Sequence, residues 1–582
     1  MGNTALNWLK RLVAGLKQWT LKVTSPVTEF IQEYVIGRWQ YFHRVRRFAI
    51  GWLVLVGVLV VGGLAQTLMM IDGLEQQYPI PGGRLREGVV GELTNFNPLF
   101  AESGANASAA QLMFSSLLQY DDNGRLRPDL AADWSSNDAA DVYTVNLRKD
   151  AKWHDGEPVT ADDVLFTVEL MQDPRLGSER LLSTWTDVTM KKTGKYQLKF
   201  TLPNSLAAFP PLLRFMVVPR HILSQVPVQS LRSNGFNQNP VGSGPFMFED
   251  FRSEDSQLVM EANSDYYRGQ PQLDRYQLEG FMSDESRAEA MDDGQIDFYT
   301  TDQVVAPDAY SVHAARLSRT RYLFFNTRQD ELTSEAKLRQ ALTHAIDASQ
   351  FDGAQNGTIQ GLLLGDQLKL ADKYHQLSFN ADKARELLDK IGWTAPGEGN
   401  QIRINKQGEQ LRLRLIYPDR LQEQQQARLV RDQLRTVGVA IDLVGLAQDD
   451  FNENVFVDRD FDLVLASVDS GIDPDVFVYW HTSQTDKGGL NISGIRDDEL
   501  DRALAAGRTR GSDRLRKAKY QTAASEWRQL APAVSLTQDS YYVVSRPRVR
   551  AYDGELLANT SDRYSDVQEW TAQVVEELPS SR

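Results

Sequence analysis

The sequence predicts an α/β fold carried behind one membrane-spanning helix. Two patterns lead there: along the body of the chain the apolar spacing switches repeatedly between period two and helical period, and one long run carries no charge. With 42% hydrophobic and 24% charged residues the composition is that of a globular chain, not a disordered one. Its 582 residues leave room for roughly three or four domains of ordinary size. Cysteine is absent, which excludes a disulfide framework, a thiolate metal site, a cysteine nucleophile and lipid attachment through an N-terminal Cys.

The uncharged run is "FAIGWLVLVGVLVVGGLAQTLMMI", Phe48 to Ile71. A bilayer core takes about 20 apolar residues, so this run reads as a transmembrane helix. "RVRR" precedes it and Asp72 follows it, and the positive-inside bias then puts residues 1–47 in the cytoplasm and 72–582 outside. The competing reading is a signal peptide cut near Ala65, which the long basic leader and long apolar run fit poorly. Residues 1–47 hold eight Lys/Arg and two acids; with −15 over the whole chain, the rest carries −21. A basic leader before an acidic body suits a membrane-proximal segment, and an acidic body argues against nucleic acid. Leu9, Leu12, Val13 and Leu16 share a helical face away from Lys10, Arg11 and Lys17, as in a basic helix on an anionic leaflet.

Beyond a Pro/Gly tether, "YPIPGG", the elements follow in order. "RLREGVV" is a short strand, "YTVNLRKDAKW" a half-buried strand, "DDVLFTVELMQD" a helix stopped by Pro174, and "YQLKFTL" a strand ended by Pro203. "EAKLRQALTHAI", "ADKARELLDKIG" and "QQQARLVRDQLRTVG" are amphipathic helices, with "LRLRLIY" and "VAIDLV" as strands among them.

"KWHDGEPVTADDVLF" concentrates a histidine and four carboxylates and is the first place to look for an active site. Local structure explains most of it. Asp155-Gly156 makes a turn, Thr160 caps a helix with Asp163 three residues on, and Asp162 and Asp163 favour the dipole of the first turn. His154 stands alone, because the seven histidines, at 43, 154, 221, 313, 344, 375 and 481, have no metal-type spacing.

The region around that motif, "LLQYDDNGRLRPDLAADW" through "KWHDGEPVTADDVLFT", resembles the signature of the family 5 extracellular solute-binding proteins, the peptide/nickel-type receptors of ABC importers. The likeness continues through "NPVGSGPFMFEDF", "YLFFNTR", "RQALTHAID" and "DFDLVLASVDSGIDPDVF" to "LAPAVSLTQDSYYVV". It implies a two-lobed clamp with an inserted domain and hinge closure around ligand. Mapped here, 1–47 is the leader, 48–71 the span and 72–81 the tether. Residues 82–114, 236–320 and 530–582 form the first lobe, 115–235 the inserted domain and 321–529 the second lobe. The resemblance implies no cofactor.

In peptide-binding relatives an Asp after a second-lobe strand pairs with the ligand's amino terminus, a desolvated ammonium that needs a charged partner. Asp469 is the nearest match and Asp473 the second. Aligned on Asp473-Pro474, Ser470 takes the usual Asp place and Ala466-Ser467 the usual Gly-Trp. Where dipeptide-binding relatives place a carboxylate-binding Arg stands Tyr417-Pro418, with Arg420 close by. By the same resemblance Phe96, Asn97 and Asn326 are further cleft candidates. Tyr479 and Trp480 suit stacking on ligand or a place in the core.

The apolar run and the resemblance together imply a membrane-anchored receptor that delivers peptide or a similar small solute to an ABC permease; which ligand it takes, peptide, sugar or metal chelate, is not written in the sequence. The other reading is a tethered sensor signalling to a partner through the same clamp. Catalysis has no support, since GxxxxGK[ST], HExxH and GxSxG are all missing.

Overall fold

The computed structural model describes residues 48, 50–62 and 76–577, apart from 102–103, 304–308, 330, 352–360, 363–367, 369, 398–400 and 510–511. Residues 50–62 are helical and exposed. Among the described residues no helix is long and apolar enough to cross a membrane. Residues 63–71 of the predicted span and the leader 1–47 lie outside the described residues.

Among the described residues the body, Pro79–Val574, is built on an eleven-stranded sheet. One half of it comprises β1 (Arg84–Val90), the strands Phe246–Arg252, Gln257–Ala262 and Arg275–Phe281, and β2 (Phe298–Thr301). β1 runs parallel to both Arg275–Phe281 and β2. The other half comprises β4 (Arg412–Pro418), β5 (Ala440–Leu446) and β6 (Leu463–Asp469), with β4 parallel to both of its neighbours. Two long antiparallel strands join the halves: β3 (Ser311–Phe325, 15 residues) and β7 (Ala533–Ser545, 13 residues).

The joined half is apolar on both faces, so its strands read as near-continuous hydrophobic runs. Leu323, Phe325, Leu413, Leu415, Leu463 and Leu465 pack under helices α1 (Ala336–Ala345), α2 (Ala381–Lys390) and α3 (Leu421–Arg435). Tyr322, Phe324, Ile416, Val464 and Ala466 pack on the opposite face with α4 (Asp498–Thr509) and α5 (Asp513–Leu530). Trp480 belongs to that second core: it is buried, stacks on Phe324 at 5.5 Å and meets Trp527 edge-on at 5.5 Å. The first half shares its core with residues of 115–235, which also carry a separate four-stranded sheet over Ala131–Thr201.

The charged motif at 152–166 does the local work its sequence suggests. Gly156 takes φ 93°, and the amide of Trp153 donates to Glu157 O at 2.8 Å, closing the turn. The carboxylate of Asp163 accepts from the amide (2.8 Å) and the hydroxyl (3.0 Å) of Thr160 and from the amide of Arg220 (3.0 Å). Asp155 pairs with His221 at 2.7 Å. The motif thus ties a turn and a helix start to the short helix Arg220–Leu223.

Candidate functional site

Where the two halves of the sheet meet, a cavity of about 710 Å³ opens over β3, β6 and β7. Its walls come from both sides of the junction: Asp302 and Gln303 just after β2, and Arg420, Glu423, Gln448, Phe451 and Phe456 beyond β4 and β5. That size falls within the ~300–1,000 Å³ of small-ligand sites. Its lining is mostly polar, with two aromatic rings.

The floor follows from strand geometry. Side chains two apart share a face, so Arg319 and Arg321 continue the face that Leu323 and Phe325 bury under the helices. Across the antiparallel pair, Arg321 sits opposite Ser467 and Arg319 opposite Asp469. Asp539, on β7, accepts from Arg319 Nε at 2.6 Å and lies 3.4 Å from Arg321 Nη2. Helix α3 adds Glu423, 3.3 Å from Arg321 Nη2, and Gln426, whose Oε1 accepts from Arg321 Nη1 at 3.0 Å. The side chains of Arg321, Glu423 and Asp539 are only 7%, 11% and 9% exposed. At that burial a charge must be paired, and here two guanidiniums meet two carboxylates.

The residues nominated from the sequence fall into two groups. Arg420 lines the cavity and donates to Gln448 Oε1 at 2.9 Å. Asp469, exposed at the end of β6, accepts from Ser318 Oγ and from the amide of Gly471, both at 3.2 Å. Ser470 follows it, its amide donating to Ser318 O at 3.3 Å. The others have structural surroundings. Asp473 is bound by Arg516 through Nη1 at 2.9 Å and Nη2 at 2.5 Å. Tyr417 is buried in the core beneath α3. Phe96, Asn97 and Asn326 are fully buried: Phe96 packs edge-on against Phe251, Asn97 donates to Asn237 Oδ1 at 3.0 Å, and Asn326 donates to Arg459 O and Phe461 O. Of the nominated residues only Arg420 lines the cavity; these five do not, nor do Asp469, which follows Ser467 along β6, and Ser470 just after it. The side chains of Asp473, Asn97 and Asn326 each bond to a distant part of the chain.

The floor residues Arg319, Arg321, Glu423 and Asp539 escaped sequence reasoning. A signal was present: "SRTRYLFF" sets two arginines on the face of an otherwise apolar strand, and Glu423 and Gln426 occupy the buried side of an amphipathic helix.

A polar cavity over long strands that join two halves of one sheet is the architecture of a ligand-binding scaffold. The chain belongs to the bacterial extracellular solute-binding proteins, family 5, whose "Middle" model matches residues 125–489. The oligopeptide-binding protein AppA of Bacillus subtilis is 27% identical over 443 residues, spanning 73% of this chain and 80% of that protein. The nickel-binding periplasmic protein of Escherichia coli is 25% identical, spanning 82% of this chain and 91% of that one. Among solved structures, the substrate-binding protein CtaP of Listeria monocytogenes superposes with a TM-score of 0.71 at 24% identity, covering 84% of this chain and 99% of that one. The mixed α/β fold is therefore that of the peptide- and nickel-binding periplasmic proteins.

Proposed function

We propose that this protein is the extracytoplasmic substrate-binding component of an ABC importer. It takes a peptide or similar small solute into the cavity between two lobes and delivers it to a permease in the membrane. The observation that carries this reading is the charged cavity at the junction of the sheet halves. In this reading 82–114, 236–320 and 530–582 form one lobe with 115–235 inserted, 321–529 form the other, and β3 and β7 are the crossings about which they close. Peptide is favoured because relatives at 27–29% identity are named as oligopeptide- or peptide-binding proteins.

Arg420 meets the ligand at the cavity wall. Asp469, facing outward from the end of β6 beside Ser470, is the partner of a ligand ammonium. The protein acts by binding, without catalysis: both floor carboxylates, Glu423 and Asp539, are engaged with arginines and not poised as an acid–base pair. The apolar run Phe48 to Ile71 anchors the chain in the bilayer with residues 72–582 outside, a reading supported by its length and by the basic residues before it.

The test is mass spectrometry of ligand that co-purifies with the full chain extracted in detergent. Peptides are the expected cargo, and a sugar or a metal chelate in their place would overturn that assignment. Binding of the recovered ligand is expected to weaken at least tenfold in Asp469→Asn. Unchanged affinity would remove Asp469 from the site.

A further inference from the structure

The floor of the cavity has a charge balance that bears on ligand selection, granted that this cavity is the ligand site. Arg321 is held on several sides. Its Nε donates to Ser467 Oγ at 3.4 Å and its Nη1 to Gln426 Oε1 at 3.0 Å. Its Nη2 lies 3.3 Å from Glu423 and 3.4 Å from Asp539, yet among the described residues it forms no aligned hydrogen bond with either. Arg319 completes the group through its own bond to Asp539. The floor thus presents a rigidly placed N–H donor while carrying no net formal charge.

We propose that this floor selects an uncharged acceptor: Arg321 Nη2 donates to a neutral carbonyl of the ligand, and Glu423 and Asp539 keep a ligand carboxylate away from the same point. A neutral carbonyl adds an acceptor without adding charge. A carboxylate there would be a third negative group beside two that are already buried, in a medium where charges are weakly screened. To pair with Arg321 it would have to displace Glu423 or Asp539, leaving that group buried without a partner. Asp302 and Arg420, the other charged lining residues, are exposed, and the charged ends of a ligand are tolerated there because water still reaches them. The cavity therefore favours ligands whose middle is neutral and polar, and discriminates against acidic side chains at the position over Arg321.

Calorimetric titration of the full chain in detergent tests this, with tetra-alanine and its eight single variants carrying Gln or Glu at each position. The wild type is expected to bind Gln at least tenfold better than Glu at one or more positions. In Glu423→Gln, which frees positive charge on the floor, that ratio is expected to fall at least fivefold. The readout is a ratio within each protein, so a uniform loss of affinity cancels; Asp539→Asn gives a second measurement should Glu423→Gln fail to fold. Equal tolerance of Glu and Gln at all four positions in the wild type, or a ratio unmoved by both variants, overturns the inference. Ser467→Trp, which fills the cavity, separates the two levels. If it abolishes tetra-alanine binding while Glu and Gln remain equivalent, only the selectivity is wrong. If it leaves binding intact, or the wild type binds no tetra-alanine, the reading of the site falls and the inference with it.

Discussion

His154 sits where the turn at 153–157 meets the loop "NPVGSGPF", and its two ring nitrogens hold that meeting. Nδ1 accepts from the amide of Gly242 at 3.2 Å and Nε2 lies 3.1 Å from Gly244 O, an arrangement that suits the neutral ring with its proton on Nε2. Burial of the ring pushes its pKa down from 6.5 to about 4. The folded protein keeps the ring neutral while the unfolded chain takes up a proton below 6.5, so this contribution is complete above that value and is lost as pH falls toward 4. With the residue still partly open to solvent, the loss is about 1–3 kcal/mol. Urea unfolding between pH 7 and pH 4.5 should therefore show a smaller pH dependence in His154→Gln than in the wild type. A second residue-scale test lies in the first core. Arg563 donates to Glu87 Oε1 at 2.8 Å, and the hydroxyls of Tyr276 and Tyr564 donate to Oε2 at 2.6 Å each, all of it buried. Arg563→Met takes the cation from the buried Glu87 and leaves it only the two hydroxyls, and breaking such a buried pair costs about 3–5 kcal/mol. Urea unfolding at neutral pH measures it.

Most individual elements follow from local pattern. The strands "RLREGVV", "LRLRLIY" and "VAIDLV" and the helices over 336–345, 381–390 and 421–435 form where the spacing predicts. The stretch "YTVNLRKDAKW" gives a shorter strand, Val142–Leu147, after which the amide of Arg148 donates to Leu130 O. The long strand β3 was harder to read: Arg319 and Arg321 interrupt its apolar face, and its register against β7 shifts twice, after Arg316 and after Arg321. The first shift puts extra residues in β3 and the second puts one in β7, so alternation along β3 breaks before Arg319 and holds from there to Phe325. Two substitutions probe this scale. Leu465→Ala on β6 removes a fully buried side chain from the face under α3 and should cost about 2–5 kcal/mol in urea unfolding. Gly242→Ala brings a methyl carbon to 1.8 Å from Met113 O. A backbone atom is in the way, so the loop must move, and a loss of about 2–3 kcal/mol is expected.

At the scale of the whole molecule, the apolar run 48–71 and the body are separable by composition. A chain of residues 76–582 is expected to remain in the supernatant after ultracentrifugation and to retain ligand affinity, whereas the full chain sediments with membranes. Recovery of the full chain in the supernatant would remove the anchor. The sequence by itself determined the α/β class, the family and the structural nature of the motif at 152–166. These rest on short-range patterns of turn residues, caps and apolar spacing, which are written locally. Only the tertiary structure assembled the candidate cavity. Arg319 and Arg321 meet Asp539 from more than two hundred residues away, and Arg321 meets Glu423 from about a hundred, because β7 returns beside β3 and α3 covers its face. Phe96, Asn97 and Asn326, plausible in the linear chain, are buried by distant partners of their own: Phe251, Asn237, and the carbonyls of Arg459 and Phe461. Spacing along a strand tells which side chains share a face, but which charges gather over that face depends on the strands and helices that pack there.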